Sequence, residues 1–421
     1  MITSVVLWVA LAGGLYMAWN IGANDVANAM GTSVGSGALT LKGAIIVAAV
    51  FEFGGAVLVG GHVTETVRKG ILDPQMFQPA GALGAEGPVL LALGMTGALL
   101  AAAVWLHVAS RMGLPVSTTH SIVGAVVGFG LASLGMDGVS WGKLGTIVAS
   151  WGVSPVLGAV LAFATFLVVR RLVLRQADPI AATVRWGPYM VGVVASILAL
   201  TFVYKALKNV LPDPHPFVVG LGALGVGGVS VLVARARIRA PASVGDEGPY
   251  VYVERLFGKL QIATAAFVAF AHGANDVANA TGPVAAVVQL AGASYAEVPA
   301  SVPVATWILA LGGVGIVIGL ATFGYRVILT VGKHITEITP TRGFAAEFGA
   351  ASTVLIASRM GLPISTTHTL VGAVVGVGLA QGLGALNLRT LRDIAASWIA
   401  TVPVAAALSA FFYAALRSLV L

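Results

Sequence analysis

The sequence has no cysteine and little charge. Asp, Glu, Lys and Arg together account for only 9% of its 421 residues. Without cysteine the chain cannot form a disulfide, a thiolate metal site or a thiol nucleophile. Soluble globular domains carry about 25% charged residues, so the scarcity of charge excludes that class. Apolar residues make up 58% of the chain, and this balance is typical of an integral membrane protein.

Long apolar runs predict an all-α membrane fold with about 10–12 transmembrane helices, some of them broken or arranged as re-entrant hairpins. Each run has the length that crosses or nearly crosses a bilayer. The first run lacks a preceding basic region, so we interpret it as a retained helix and not as a cleaved signal. The clearest runs are residues 5–19, 89–109, 144–169, 189–203, 216–234, 302–323 and 391–416.

The net charge of +7 comes from basic residues in short loops between apolar runs. This is a pattern of membrane topology and not of a nucleic-acid-binding patch. Basic residues concentrate in two loops, residues 170–188 and 235–260. The positive-inside rule therefore predicts that both loops are cytoplasmic and that both chain termini lie outside. We expect a multi-pass protein of the cell membrane (the plasma or inner membrane).

One eight-residue motif occurs twice with identical sequence, at Gly22–Ala29 and Gly273–Ala280. Each copy follows an apolar run, where unpaired polar groups cost roughly several kcal/mol each. If the first copy is helical, Asn24 and Asn28 share one face. The leading glycines also permit broken helices, and an unwound helix frees backbone groups to bind ions. Asparagine contacts between helices are the alternative, but two identical copies favour a substrate or ion site. The polar residues are Asn24, Asp25 and Asn28 in the first copy, and Asn275, Asp276 and Asn279 in the second.

A second repeated element covers residues 110–132 and 358–380, and 19 of its 23 positions are identical. Its Gly-Leu-Pro sequence predicts the end of one helix, and the following Ser-Thr-Thr-His run predicts the start of the next. A helix N-terminus at membrane depth can bind an anion through its amides, although a simple capped turn has the same sequence. The candidate residues are Ser117, Thr118, Thr119, Ser365, Thr366 and Thr367.

The two motifs recur in one order at spacings of 251 and 248 residues, which indicates an internal duplication. We divide the chain into a first transport repeat (1–165), a middle segment with two transmembrane helices (166–254) and a second repeat (255–421). The loop after the second element carries one basic residue in the first repeat and two in the second. This difference predicts that equivalent loops face opposite sides, so that the repeats have inverted topology.

The pairing of Gly-Ala-Asn-Asp-Val-Ala-Asn-Ala with Gly-Leu-Pro-x-Ser-Thr-Thr-His resembles the inorganic phosphate transporter (PiT) family over nearly the whole chain. The resemblance implies a symporter that moves phosphate together with sodium, or with protons in some members. It also implies that both motifs carry the transport site. Glu52 and Glu347 resemble acidic residues that the family needs for transport. The chain lacks the long central domain of animal members.

The side-chain chemistry fits alternating access around one midplane site shared by the repeats. Asp25 and Asp276 repel a bare anion, so each must either bind a cation or accept a proton from the anion. Sodium suits the first case because it takes oxygen ligands. Phosphate is favoured over sulfate because it can donate a hydrogen bond to aspartate. The predicted phosphate-binding residues are Asp25, Asn28, Ser117, Thr118, Thr119, Asp276, Asn279, Ser365, Thr366 and Thr367. The predicted sodium ligands are Asn24, Asp25, Asn28, Asn275, Asp276, Asn279, Thr119 and Thr367.

Coupling roles are predicted for Glu52, Glu347, His120 and His368, with structural hydrogen bonding as the alternative for the two histidines. A proton-coupled phosphate or sulfate permease is the alternative function. An enzyme needs no duplicated constellation, and a channel needs no paired carboxylates at a closed site, so we predict neither. The expected partners are inorganic phosphate, co-transported sodium and the lipid bilayer, with no organic cofactor and no nucleic acid. The oligomeric state is left open, with a homodimer as one candidate.

Overall fold

The structure, a computed structural model, describes residues 2–60, 63–65, 70–206, 214–241, 248–293, 298–299, 301–360 and 364–421. Most of these residues are helical, as predicted, and two short strands, β1 (Val63–Glu65) and β2 (Ser301–Pro303), pair antiparallel. The helices are α1 (Ile2–Gly35), α2 (Leu41–Val59), α3 (Gly87–Arg111), α4 (Thr118–Leu134), α5 (Trp141–Val169), α6 (Pro179–Thr201), α7 (Pro216–Arg237), α8 (Pro249–Gly292), α9 (Thr306–Thr322), α10 (Tyr325–Leu329), α11 (Pro340–Arg359), α12 (Thr366–Leu379) and α13 (Leu388–Val420).

Eight of the described helices are long and apolar enough to cross a bilayer. A ninth span results if α9 and the segment through His334 are joined across their 59° bend. The sequence predicted about 10–12 spans, and further helices lie within the repeats. Of these, α4 and α12 are apolar but short, and α11 carries Arg342 and Glu347 within its 20 residues.

Both copies of the eight-residue motif lie inside continuous helices, so of the two possibilities that the sequence left open the helical one holds and the helices are not unwound there. The first copy lies in α1, which has 34 residues, and the second lies in α8, which has 44 residues. The helical breaks occur elsewhere. One is the turn between α3 and α4, where Gly113 has a positive φ of 70°, and another is the bend after α9.

Helices from the two halves of the chain pack against each other in a reciprocal pattern. Helix α1 packs against α9 while α8 packs against α2, and α4 packs against α13 while α5 packs against α12. Helix α3 is central, since most of its residues are buried, whereas α7 has only four buried residues and lies at the periphery of the bundle. The motif-bearing helices α1 and α8 also contact each other, which brings the two motif copies together.

The two ends of α5 contact different loops. At its start, the amide of Ser140 donates to the carbonyl oxygen of Ile71 at 2.9 Å. At its end, Arg170 donates through Nη1 to the carbonyl oxygen of Ala380 at 3.0 Å. Helix α5 has 29 residues and rises about 1.5 Å per residue, so its two ends are far apart. The loop before α5 and the loop after α12, which contacts its other end, therefore lie at opposite ends of the bundle.

Candidate functional site

The glycine that begins each motif lies at a close helix crossing. Gly22 packs against the backbone of Ile316 in α9, and Gly273 packs against the backbone of Glu52 in α2. A Cβ atom would lie 1.9 Å from the carbonyl oxygen of Ile316 in the first case and 2.0 Å from that of Glu52 in the second. No side chain fits at these distances, so these glycines permit close packing and do not unwind the helix.

His272 lies among three buried carboxylates at the crossing of α8 and α2. Its Nε2 atom is 2.9 Å from Asp276 Oδ2 and 3.6 Å from Asp25 Oδ2, and its Nδ1 atom is 3.5 Å from Glu52 Oε1. All four side chains are buried. The sequence reasoning missed His272, although a histidine four residues before Asp276 lies on the same face of a helix.

The charge of this cluster favours a bound cation. One imidazole carries at most one positive charge, whereas three carboxylates can carry three negative charges, and buried charges need compensation. One ligand atom each from Asp25, His272 and Asp276 lies within 4.8 Å of the other two. We therefore regard the space between Asp25 and Asp276 as a candidate cation position.

Asn28 and Asn279 occupy equivalent positions in the two motif copies and share one feature. Each side chain donates through Nδ2 to its neighbouring aspartate, Asp25 at 3.2 Å and Asp276 at 3.4 Å. Within the described residues, no donor reaches the Oδ1 atom of either asparagine, and both atoms are buried. A buried acceptor without a partner costs about 1–3 kcal/mol, and a cation bound beside either asparagine would offset that cost.

Asp25 connects the two copies of the second repeated element. Thr118, at the start of α4, donates to Asp25 Oδ2 at 2.5 Å, and Thr367, in the first turn of α12, donates to Asp25 Oδ1 at 3.2 Å. Asn28 also donates to Thr367 Oγ1 at 2.8 Å. A carboxylate from the first repeat thus lies between helix N-termini that come from both repeats.

The two serines of the Ser-Thr-Thr-His runs are N-caps, which agrees with the capped turn considered from the sequence. Ser117 Oγ accepts from the amide of His120 at 3.3 Å, and Ser365 Oγ accepts from the amide of His368 at 3.2 Å. Each hydroxyl oxygen is therefore already used by the first turn of its helix. The threonines that follow are better placed to contact a ligand.

Asn24, which was predicted to be a sodium ligand, binds the turn before α4 instead. Its Oδ1 atom accepts from the amide of Val116 at 3.1 Å, and its Nδ2 atom donates to Ser110 Oγ and to the carbonyl oxygen of Leu114, both at 3.0 Å. The oxygen that would coordinate sodium is already occupied, so the geometry favours a structural role for Asn24.

A small cavity of about 50 Å³ adjoins the cluster and is lined by residues of both repeats, among them Asn28, His272, Asn275, Glu347 and Thr366. Asn275 is exposed and donates to Asp276 Oδ1 at 2.8 Å. Thr366 and its counterpart Thr119 are partly exposed, so their hydroxyls are available to a ligand. Asn275 and Asn24 therefore differ in exposure, although they occupy equivalent positions.

His120 and His368 lie in an aromatic stack. The ring centroid of His120 is 3.5 Å from that of Trp151, and the ring centroid of His368 is 3.7 Å from that of Trp398. The two imidazoles meet edge to face at 4.3 Å. These ring contacts join α4, α5, α12 and α13, which favours a structural role for this pair over the predicted role in carrying protons.

Glu347 belongs to a separate polar group. Its carboxylate accepts from Thr32 Oγ1 at 2.6 Å and from Thr264 Oγ1 at 2.5 Å. Glu52, in contrast, contacts His272. The two acids that the sequence singled out together therefore have different surroundings, although Glu347 lines the same cavity as His272.

Comparison with known proteins gives a consistent result. Residues 21–409 match the model of the phosphate transporter family. The chain belongs to this family. A relative from Pyrococcus abyssi that is named as a phosphate permease is 49% identical over 97% of each chain. The chloroplastic inorganic phosphate transporter 2-1 of Arabidopsis thaliana is 44% identical, and the match covers 97% of this chain and 72% of that protein.

A solved structure titled "The sodium-dependent phosphate transporter" is also similar to this member of the phosphate transporter family. The TM-score is 0.85 at 42% identity, and the match covers 98% of this chain and 99% of the other. The resemblance seen in the motifs and the all-α membrane fold are thereby confirmed. The family model describes transporters and not enzymes, which agrees with the absence of a predicted catalytic role.

Proposed function

We propose that the chain is a symporter that moves inorganic phosphate across the membrane with sodium. The observation that carries this proposal is the pair of buried, unpartnered oxygens, Asn28 Oδ1 and Asn279 Oδ1, beside Asp25 and Asp276. Oxygen ligands that lack a donor suit a hard cation such as sodium. The family and the similar sodium-dependent structure support the same conclusion.

The proposed sodium ligands are the oxygens of Asp25, Asp276, Asn28 and Asn279, with Thr367 at the edge of the group. The exposed Asn275 contributes by orienting Asp276. Phosphate would bind between the first turns of α4 and α12, where the amides and the hydroxyls of Thr118, Thr119, Thr366 and Thr367 gather. A helix N-terminus favours negative charge, and bound sodium offsets the repulsion from the aspartates.

We also propose that the repeats, residues 1–165 and 255–421, are inverted and exchange access around this site. The reciprocal packing of α1 with α9 and of α8 with α2 supports a pseudo-two-fold relationship. The contact between Arg170 and Ala380 supports the inversion, because it places equivalent loops at opposite ends of α5. With the basic loops in the cytoplasm, both termini lie outside.

Proton coupling is the second candidate, because His272 can carry a proton among its three carboxylates. Uptake of radiolabelled phosphate into proteoliposomes, with sodium and proton gradients imposed separately, tests both. We expect accumulation that follows the sodium gradient and that is lost in Asp25→Asn and Asp276→Asn. Uptake driven by the proton gradient alone would favour the second candidate, and uptake of sulfate in preference to phosphate would overturn the substrate.

A further inference from the structure

Four aromatic rings form one row between the N-terminal turns of α4 and α12. Trp151 stacks on His120 with ring centroids 3.5 Å apart, and Trp398 stacks on His368 at 3.7 Å. The two imidazoles meet edge to face at 4.3 Å in the middle of the row. The histidines are 248 residues apart and the tryptophans 247, so the row consists of two equivalent halves and joins one repeat to the other.

The histidines of the row directly follow the predicted phosphate-binding threonines. Each is the third residue of its helix, after the two threonines of the Ser-Thr-Thr-His run. Its backbone amide donates to the serine that caps the helix, Ser117 for α4 and Ser365 for α12. A shift of either ring therefore moves the first turn of its helix. The contact between the two imidazoles consequently sets how far apart these two turns lie.

The rings pair the four helices in a different combination from the one in which the helix bodies pack. The bodies of α4 and α13 meet at two glycines of α4, and those of α12 and α5 meet at two glycines of α12, where an added Cβ would touch the backbone of the facing helix. These glycines are Gly124 and Gly128 in α4, and Gly372 and Gly376 in α12. The rings instead pair α4 with α5 and α12 with α13. The contacts therefore form a closed loop, in which a shift of one N-terminus disturbs the other.

Trp398 acts on both turns at once. Its ring stacks on His368 in α12, and its Nε1 atom donates to the carbonyl oxygen of Pro115 at 2.9 Å. Pro115 lies in the turn before α4, two residues ahead of the cap Ser117. His368 makes a further connection, since its side chain also forms a hydrogen bond with the backbone of Trp151 in α5. One tryptophan of the second repeat thus holds the first turn of α12 against the entry to α4.

The bonds to Asp25 show why the separation of the two turns matters. Thr118 in α4 donates to this carboxylate at 2.5 Å, and Thr367 in α12 donates to it at 3.2 Å. A hydrogen bond is lost when its donor and acceptor move about 1 Å further apart. The two turns can therefore serve one side chain only at a nearly fixed separation, and an anion held between them meets the same restriction.

We propose that Trp398 and the His120–His368 contact are positioning elements that fix the width of the phosphate site. This inference rests on the proposed phosphate function and deepens it, because the width of the site determines which tetrahedral oxyanion fits. Arsenate has the shape of phosphate but longer bonds to oxygen, so it reports a change of width that charge alone would not reveal. The rings act through the turns that they hold and not by touching the anion.

The test measures phosphate uptake, and its inhibition by arsenate, in proteoliposomes that contain the full-length protein. Trp398→Phe keeps a ring on His368 but loses the bond to Pro115, whereas Trp398→Leu loses both contacts. We expect the phosphate KM to rise about tenfold in Trp398→Phe and further in Trp398→Leu, with a smaller change in the maximal rate. Because a widened site suits the larger anion better, the ratio of the arsenate inhibition constant to the phosphate KM should fall.

Trp105→Phe is the matched control. Trp105 is half-buried like Trp398, and its Nε1 atom also donates to another helix, to Thr401 Oγ1 in α13 at 3.0 Å. Its ring lies outside the row. Loss of an indole hydrogen bond and of ring volume is common to both variants, whereas we expect only Trp398→Phe to change the arsenate-to-phosphate ratio. Equal ratios in Trp398→Phe and Trp105→Phe would overturn the proposal.

Trp151→Phe provides a second measurement, and it applies also if the Trp398 variants do not fold. Trp151 stacks on His120 at the other end of the row, and the smaller ring covers less of the imidazole. We expect the arsenate-to-phosphate ratio to fall in this variant too, because the row positions both turns as a unit. A ratio equal to that of the parent would overturn the proposal.

Two further outcomes separate the possible failures. If the histidines of the row act by carrying protons, the tryptophan variants will alter the pH dependence of uptake at an unchanged arsenate-to-phosphate ratio, and the positioning role is then wrong. If the parent protein takes up no phosphate with sodium, the proposed function itself fails, and this inference fails with it. A parent that transports normally, with variants that keep its ratio, overturns the positioning role alone.

Discussion

Glu52 and Ile316 occupy equivalent positions at the two closest helix crossings of the protein's motif-bearing helices. The carbonyl oxygen of Glu52 faces Gly273, and the carbonyl oxygen of Ile316 faces Gly22. The residue before the glycine also differs between the two motif copies. His272 precedes Gly273, whereas Ile21 precedes Gly22. An acid and a histidine at one crossing thus correspond to two buried isoleucines at the other.

This asymmetry predicts different roles for the two crossings. Glu52→Gln removes one of the negative charges around His272 and keeps the shape of the side chain. Since a cation is attracted by the net charge of the cluster, we expect the apparent sodium constant for phosphate uptake to rise about ten- to a hundredfold, from a loss of roughly 1.5–3 kcal/mol. Ile316→Leu is the matched control and should transport like the parent. A sodium constant in Glu52→Gln equal to that of the parent would contradict a role for Glu52 in holding the cation.

A second prediction concerns the two threonines that reach Asp25. Thr118→Val and Thr367→Val each remove one hydroxyl from a buried carboxylate, so each should weaken sodium binding by about ten- to a hundredfold. Because both hydroxyls act on one side chain, the effects should not add in the double variant. Titration of purified protein with sodium measures all three variants. Additive losses would show that the two threonines act independently of Asp25.

Much of this site could be predicted from the sequence, because its residues are repeated. The duplication marked Asp25, Asp276 and both Ser-Thr-Thr runs. Local rules indicated a capped turn as the alternative to the predicted phosphate contacts of Ser117 and Ser365. The helix geometry at the motifs could not be decided from the sequence, since a glycine that permits close packing looks the same as one that unwinds a helix. Only the contact with a distant helix distinguishes the two cases.

Residues outside the repeated runs were missed for a different reason. His272 has an apolar counterpart in the first copy, and its contact with Glu52 joins positions 220 residues apart in the chain. Thr32, Ser33 and Thr264 surround Glu347 from two other helices, and no local periodicity encodes such a meeting. Duplication reveals what the two halves share, whereas each of these side chains has an apolar counterpart in the other half.

The third prediction tests the inverted arrangement, and the absence of native cysteine makes single-cysteine labelling clean. Asp137 and Leu383 lie in equivalent loops and are exposed. We expect cysteines at these two positions to react with an impermeant reagent from opposite sides of the membrane. A cysteine at Ala177, in the basic loop next to Arg170, should react from the same side as Leu383. Labelling of Asp137 and Leu383 from one side would show that the repeats are parallel.

The last prediction concerns the glycines that begin the motifs. Gly22→Ala and Gly273→Ala would each place a methyl group about 2 Å from a backbone oxygen, and the backbone cannot yield as a flexible side chain can. We expect each variant to lower the unfolding temperature in detergent and to lose sodium-dependent phosphate uptake, because separating the helices moves Asp25 and Asp276 apart. Gly145→Ala in α5 is the control, since nothing lies within 4 Å of its added methyl group. Alanine in a helix interior is favoured over glycine by about 0.5–1 kcal/mol, so this variant should be as stable as the parent or more so. If Gly22→Ala and Gly273→Ala instead match Gly145→Ala in stability and uptake, the close crossings do not position the site.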